Sequence, residues 1–175
     1  TVIDSNYTDG TGSGAGVYLT NSSLTINHSE ISSNISAMRG GGIEAWDNSQ
    51  LVIKNTIISN NTSGSSGGGI YIEVSVYLMV EDCIISGNKS SLSYSHDGGG
   101  VSVYDNCQAI FKRVQITNNN TSGGAGGAIY ASRNSDLQLT NTTISNNMSS
   151  SNRGGLWLGD GATATILNSI LYRNI

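Results

Sequence analysis

The chain repeats itself. "GGGIEAWDNSQLVIKNTIISNN" (Gly40 to Asn61) is followed twenty-seven residues on by "GGGIYIEVSVYLMVEDCIISGN" (Gly67 to Asn88). Aligned on the residue after the glycines, the units start at Val17, Ile43, Ile70, Val101, Ile129 and Leu156, with spacings of 26, 27, 31, 28 and 27. Eighteen residues after each of the last five starts stands an asparagine: Asn61, Asn88, Asn119, Asn147 and Asn174. In the first unit Asn34 follows after seventeen, and a partial unit, "TVIDSN", precedes it. A period in this range is the signature of a solenoid or other repeat array.

Apolar columns run between these anchors. Leu19, Ala45, Ile72, Val103, Ala131 and Leu158 form one, and Leu24, Leu51, Leu78, Ala109, Leu137 and Ala164 another. Ile26, Ile53, Val80, Phe111, Leu139 and Ile166 form a third, and Ile31, Ile58, Ile85, Ile116, Ile144 and Leu171 a fourth. Within a unit the apolar positions recur every second residue, as in a strand with one face buried, and no window sustains a helical period. Each unit therefore reads as three short strands joined by turns. Such a unit cannot bury its apolar face alone, but stacked copies can. The expected fold is an all-β, single-stranded parallel β-helix of about six coils of ~27 residues, each rising about 4.8 Å on the last. Residues 1–175 read as one such domain, a fragment of a longer solenoid or surface protein.

In that fold the asparagine column, Asn34, Asn61, Asn88, Asn119, Asn147 and Asn174, becomes a ladder at a tight turn, where asparagine also suits a left-handed backbone. The glycines supply positive φ and close backbone approach. The longest loop, "KSSLSYSHD" (Lys89 to Asp97), is an insertion and the expected place for an accessory contact.

The pairing of G-G-[A/G]-[I/L/V] with hydrophobic-x-x-Asn resembles the repeats of the polymorphic outer membrane proteins of chlamydiae. The matching residues are "GGGI", "GGGI", "GGGV", "GGAI" and "GGLW", with "ISSN", "ISNN", "ISGN", "ITNN", "ISNN" and "LYRN". Isoleucine stands for that family's phenylalanine in most units. The resemblance implies a right-handed β-helix displayed at a cell surface, often in adhesion; the handedness comes from the resemblance alone.

Composition narrows the function. Charged residues are 11% and the net charge is −4, without a basic patch, so a nucleic-acid partner is not expected. No apolar run approaches the ~18 residues of a spanning helix. No cofactor is implied. Cys83 and Cys107 make neither metal-ligand spacing nor a disulfide framework and are expected to be free thiols. His28 and His96 are isolated.

Three surface features are candidates for a role. Tyr18, Trp46, Tyr71, Tyr104, Tyr130 and Trp157 fall on outward positions of the first strand and could stack against sugar rings of an extracellular glycan; aromatics equally suit exposed strands for packing reasons alone. Glu44 and Glu73 on adjacent coils would lie roughly 8 Å apart, inside the range used by inverting glycosidases. Lys54, Lys112 and Arg113 fall on another strand, however, and nothing in the sequence suggests a cleft, so an enzyme is not expected. Asp47, Asp105 and Asp160 suit turn capping better than calcium, because a hard cation needs several converging oxygens. Of eleven Asn-x-Ser/Thr sequons, five lie on the ladder. Asn6, Asn21, Asn27, Asn60, Asn120 and Asn141 remain as candidate N-glycosylation sites in a eukaryotic secretory pathway.

The functional expectation is an extracellular, cell-surface spacer or display element. Its partners would be further solenoid coils or copies of itself at the open ends, and glycans. A polysaccharide-binding module, or a lyase or hydrolase of the same fold, is the alternative.

Overall fold

The computed structural model describes residues 1–91, 98–151 and 153–175. The described residues form strands and turns without a helix, and every strand pairing is parallel. Each coil opens with a strand of the first sheet: Val17–Thr20, Ile43–Trp46, Ile70–Glu73, Val101–Val103, Ile129–Ala131 and Leu156–Leu158. The second sheet stacks Ser23–Asn27, Gln50–Lys54, Tyr77–Glu81, Gln108–Lys112, Asp136–Thr140 and Thr163–Leu167. The third has seven strands because the partial unit contributes Val2–Asp4 beneath Glu30–Ser32.

The sequence columns are the structural register. Ile70 pairs with Ile43 on one side and Val101 on the other, and Leu78 with Leu51 and Ala109. A two-residue period on three sheets sends these columns inward, where Ile43, Ile70, Ile72, Leu78, Ile85, Phe111 and Ile116 have no exposed surface.

The structure adds a fourth sheet to the three strands expected per coil. Ile35–Ser36, Thr62–Ser63, Lys89–Ser90, Asn120–Thr121 and Met148–Ser149 pair in register just after the ladder asparagines. These strands are two residues long and turn a serine or threonine inward, so they carry no hydrophobic alternation to detect.

The asparagine amides bond along the helix axis. Asn34 Nδ2 donates to Asn61 Oδ1 at 2.9 Å, Asn61 to Asn88 at 3.0 Å, Asn88 to Asn119 at 3.0 Å, and so on to Asn174. Each Oδ1 also accepts the backbone N–H of the preceding rung, as Asn88 Oδ1 does from Asn61 at 3.0 Å. Asn6 belongs to this ladder too, through Nδ2 to Asn34 Oδ1 at 2.8 Å, and as its terminal rung it is exposed. The rungs themselves are not left-handed. That conformation falls one residue earlier, on Ser33, Asn60, Gly87, Asn118, Asn146 and Arg173.

The two sequence motifs meet in space. A side chain on Gly69 would lie 3.1 Å from the Asn88 amide, and one on Gly42 the same distance from Asn61. The glycines thus leave room for the ladder, which is why the two motifs recur together.

Candidate functional site

The outer face of the first sheet carries six of the eleven aromatic side chains together with Glu44 and Glu73, and the structure does not leave it open. Tyr71, Tyr104 and Tyr130 are 4%, 3% and 2% exposed, so the aromatic column is not the exposed platform expected from strand alternation. The segments that follow the ladder fold back over this face: Ala125 is buried against the rings, and the Arg39 side chain lies across Trp46 and Tyr71. The rings stack on one another. Tyr71–Tyr104 centroids are 5.6 Å apart, Tyr104–Tyr130 5.2 Å and Tyr130–Trp157 4.4 Å. Tyr18 alone of the six is largely exposed, at 56%, while Trp46 and Trp157 are half-buried.

Beneath Arg39 lies the densest chemistry among the described residues. Pairing between coils sets Tyr71 over Glu44 and Glu73 over Trp46. Arg39 Nη1 donates to Glu73 Oε2 at 2.9 Å and to the Tyr71 hydroxyl at 3.3 Å, and its Nη2 lies 3.5 Å from Glu44 Oε1. Tyr71 in turn donates to Glu73 Oε2 at 2.6 Å. The guanidinium sits 4.7 Å from the Trp46 ring centroid and 4.9 Å from that of Tyr71, close enough for cation–π attraction.

Burial raises both carboxyls above the ordinary range. For Glu44 it outweighs the pull of Arg39; for Glu73 it acts with Asp105 against Tyr71 and Arg39. Glu44 is 1% exposed and its Oε2 has no hydrogen-bond partner. Burial also drives the Tyr71 phenol upward, so it stays a donor. The sequence put the cationic residues on another strand. Arg39 was missed because it lies on a loop, and loop positions have no column to betray where they land.

A second feature lies at the far end of the ring stack. A cavity of about 370 Å³ is lined by Ala125, Tyr130, Arg153, Trp157 and Asp160, among others. It joins an aromatic face to a guanidinium and a carboxylate.

The remaining candidates take structural places. Asp47, Asp105 and Asp160 begin left-handed two-residue turns after the first sheet. Asp105 pairs with Arg133 at 3.2 Å, and Asp160 accepts from Ser132 at 3.1 Å. Lys54 and Arg113 pair with Glu81 at 3.0 and 2.7 Å on the second sheet's outer edge. Both thiols are free and buried. Cys83 Sγ accepts from Thr56 N at 3.4 Å and Cys107 Sγ from Val76 N at 3.2 Å, as Thr56 and Ser135 hydroxyls do on neighbouring coils. Desolvation pushes the Cys107 thiol up to about 12, so it is unreactive at neutral pH. Of the sequon residues outside the ladder, Asn21, Asn27, Asn60 and Asn141 are exposed and Asn120 is half-buried. His28 is exposed in a turn. His96 and most of the Lys89 to Asp97 insertion fall outside the described residues.

No curated protein and no solved structure shows a significant match to the chain. A family model described as a right-handed beta helix region matches residues 1–175. The match spans the same coils that the ladder and the inward columns define, and the chain belongs to the right-handed β-helix family.

Proposed function

We propose that the chain is an extracellular structural element, a rigid spacer or display surface in a cell-surface protein or appendage. One observation carries this reading: the groups with chemical potential on the first sheet bond to one another under a covering layer, while the core and ladder run unbroken through all coils. The likeness of the glycine and asparagine motifs to chlamydial-type surface repeats supports display and adhesion. The ladder is directional, with Nδ2 of each rung pointing to Oδ1 of the next. Further coils, or another copy, stacked on either end would have to continue that polarity. Four exposed sequon asparagines outside the ladder suit a glycoprotein.

The test joins shape to location. Dyes on cysteines introduced at Thr1 and Ile175 should report one narrow separation of about 30 Å, set by six rises of about 4.8 Å. Membrane-impermeant labelling of intact source cells should reach the chain. A broad distance distribution would reject the rigid spacer, and protection from labelling would reject surface display.

The cavity beside Trp157 favours a second reading, a polysaccharide-binding module. Titrating oligosaccharides while following tryptophan emission should then show saturation that Trp157→Ala removes. A hydrolase or lyase would need Glu44 and Glu73 to meet substrate, and both are covered by Arg39. Turnover of a polysaccharide panel that vanishes in a Glu44→Gln, Glu73→Gln variant would establish it regardless.

A further inference from the structure

The Arg39 cluster is unbalanced. Among the described residues, coil 2 contributes Glu44, coil 3 contributes Tyr71 and Glu73, and the turn after coil 4's first strand contributes Asp105. Arg39 comes from the loop above, and Arg133 reaches Asp105 from coil 5. Three carboxylates thus share two guanidiniums, and one carboxylate oxygen, Glu44 Oε2, is buried without a partner. A neighbourhood with more buried negative charge than positive takes up a proton readily.

The backbone of the loop carrying Arg39 is tied down by peptide hydrogen bonds, while its side chain is held largely by titratable groups. Met38 N donates to Gly12 O at 3.0 Å and Ser65 N to Met38 O at 2.8 Å, tying the backbone to coils on both sides. Gly14 N donates to Arg39 O at 2.9 Å. The guanidinium, by contrast, has a side chain 32% exposed and is held by two carboxylates, one hydroxyl and two ring faces. Neutral carboxyls cannot repay its partial desolvation as carboxylates do.

We infer that Arg39 is an acid-released clasp. Closed at neutral pH, it covers Trp46 and Tyr71. When Glu44 and Glu73 take up protons it swings into solvent and uncovers those ring faces, giving a surface that is aromatic only in mildly acidic surroundings. The upward displacement of both carboxyls by burial places this change above the ordinary carboxylate range. Because the folded chain gains protons in the process, opening comes without loss of global stability. That separates the clasp from acid unfolding.

Trp46 is its reporter, since the chain has only one other tryptophan, Trp157. In a Trp157→Phe background, Trp46 emission should change in a single step between about pH 7.5 and about pH 4.5, with a midpoint above the ordinary glutamate value of 4.5. The Glu73→Gln variant should show most of the acid-form emission already at neutral pH. Arg39→Gln should abolish the step while urea unfolding remains cooperative. If Trp157→Phe does not fold, the Trp46 indole N–H signal of the wild-type chain, assigned by its loss in Trp46→Phe, reads the same transition. A flat Trp46 signal across this range, or a step that persists in Arg39→Gln, overturns the proposal.

Discussion

Asn61 donates twice to one atom of Asn88: its backbone N–H and its Nδ2 both reach Asn88 Oδ1 at 3.0 Å. Asn88 Nδ2 also donates to Ile58 O at 3.0 Å. A single, fully buried side chain thus satisfies polar groups on the coils to either side of its own. Replacing Asn88 with Ala strands two donors and takes a donor from each of two acceptors. The expected cost is about 3 kcal/mol, read from urea unfolding. The exposed Asn27→Ala should stay within about 0.5 kcal/mol. Equal effects would show that the ladder is not a stabilising device.

The glycines before the first strand differ in what they permit. A side chain at Gly68 would meet Gly99 O at 2.4 Å and Lys89 N at 2.5 Å, both backbone atoms that cannot give way. Gly68→Ala should therefore prevent folding or cost several kcal/mol. The next column already holds Ala128, so Gly69→Ala should fold with a smaller loss. Circular dichroism and urea midpoints of the two variants should differ widely.

Val74 sits at φ 63° in the turn where other coils place Asp47 and Asp105 at 49° and 48°. A β-branched residue there is strained by about 1–3 kcal/mol, whereas Asn visits this region at little cost. Val74→Asn should raise stability by about 1 kcal/mol. No gain in the unfolding midpoint would mean that Val74's partial burial offsets the strain.

Glu44 and Glu73 have folded-state values raised by burial, so the folded chain binds protons that the unfolded chain does not. Their contribution is fully present below the unfolded value and is lost as pH rises through the folded one. The urea midpoint should accordingly increase when pH falls from about 7.5 to about 5, and the double Glu→Gln variant should flatten that slope. Asp4, Glu81 and Asp82 are shifted downward, Asp4 by Ser32, Glu81 by Lys54 and Arg113, and Asp82 by Arg113. They act at lower pH, where stability falls again.

The stacked coils were legible in the sequence because identical units stacked in register turn a one-dimensional period into columns. Leu51 over Leu78 over Ala109 could be read as text before it was seen as structure. The Asn88 ladder and its glycine neighbour, Gly69, follow from the same regularity. The fourth sheet escaped notice because two residues with one inward serine carry no alternation.

The sequence by itself determined the inside of this protein: which residues face inward, which stack, and in what register. Only the tertiary structure decided the outside of the first sheet. Tyr71, Glu44 and Glu73 alternate as exposed residues should, and they are buried because loops of unequal length fold back over them. Repeat symmetry fixes what each coil does for its neighbours, but it is silent about Arg39, which stands opposite Ser66 in the next unit and so forms no column of like residues, and whose landing place is set by packing.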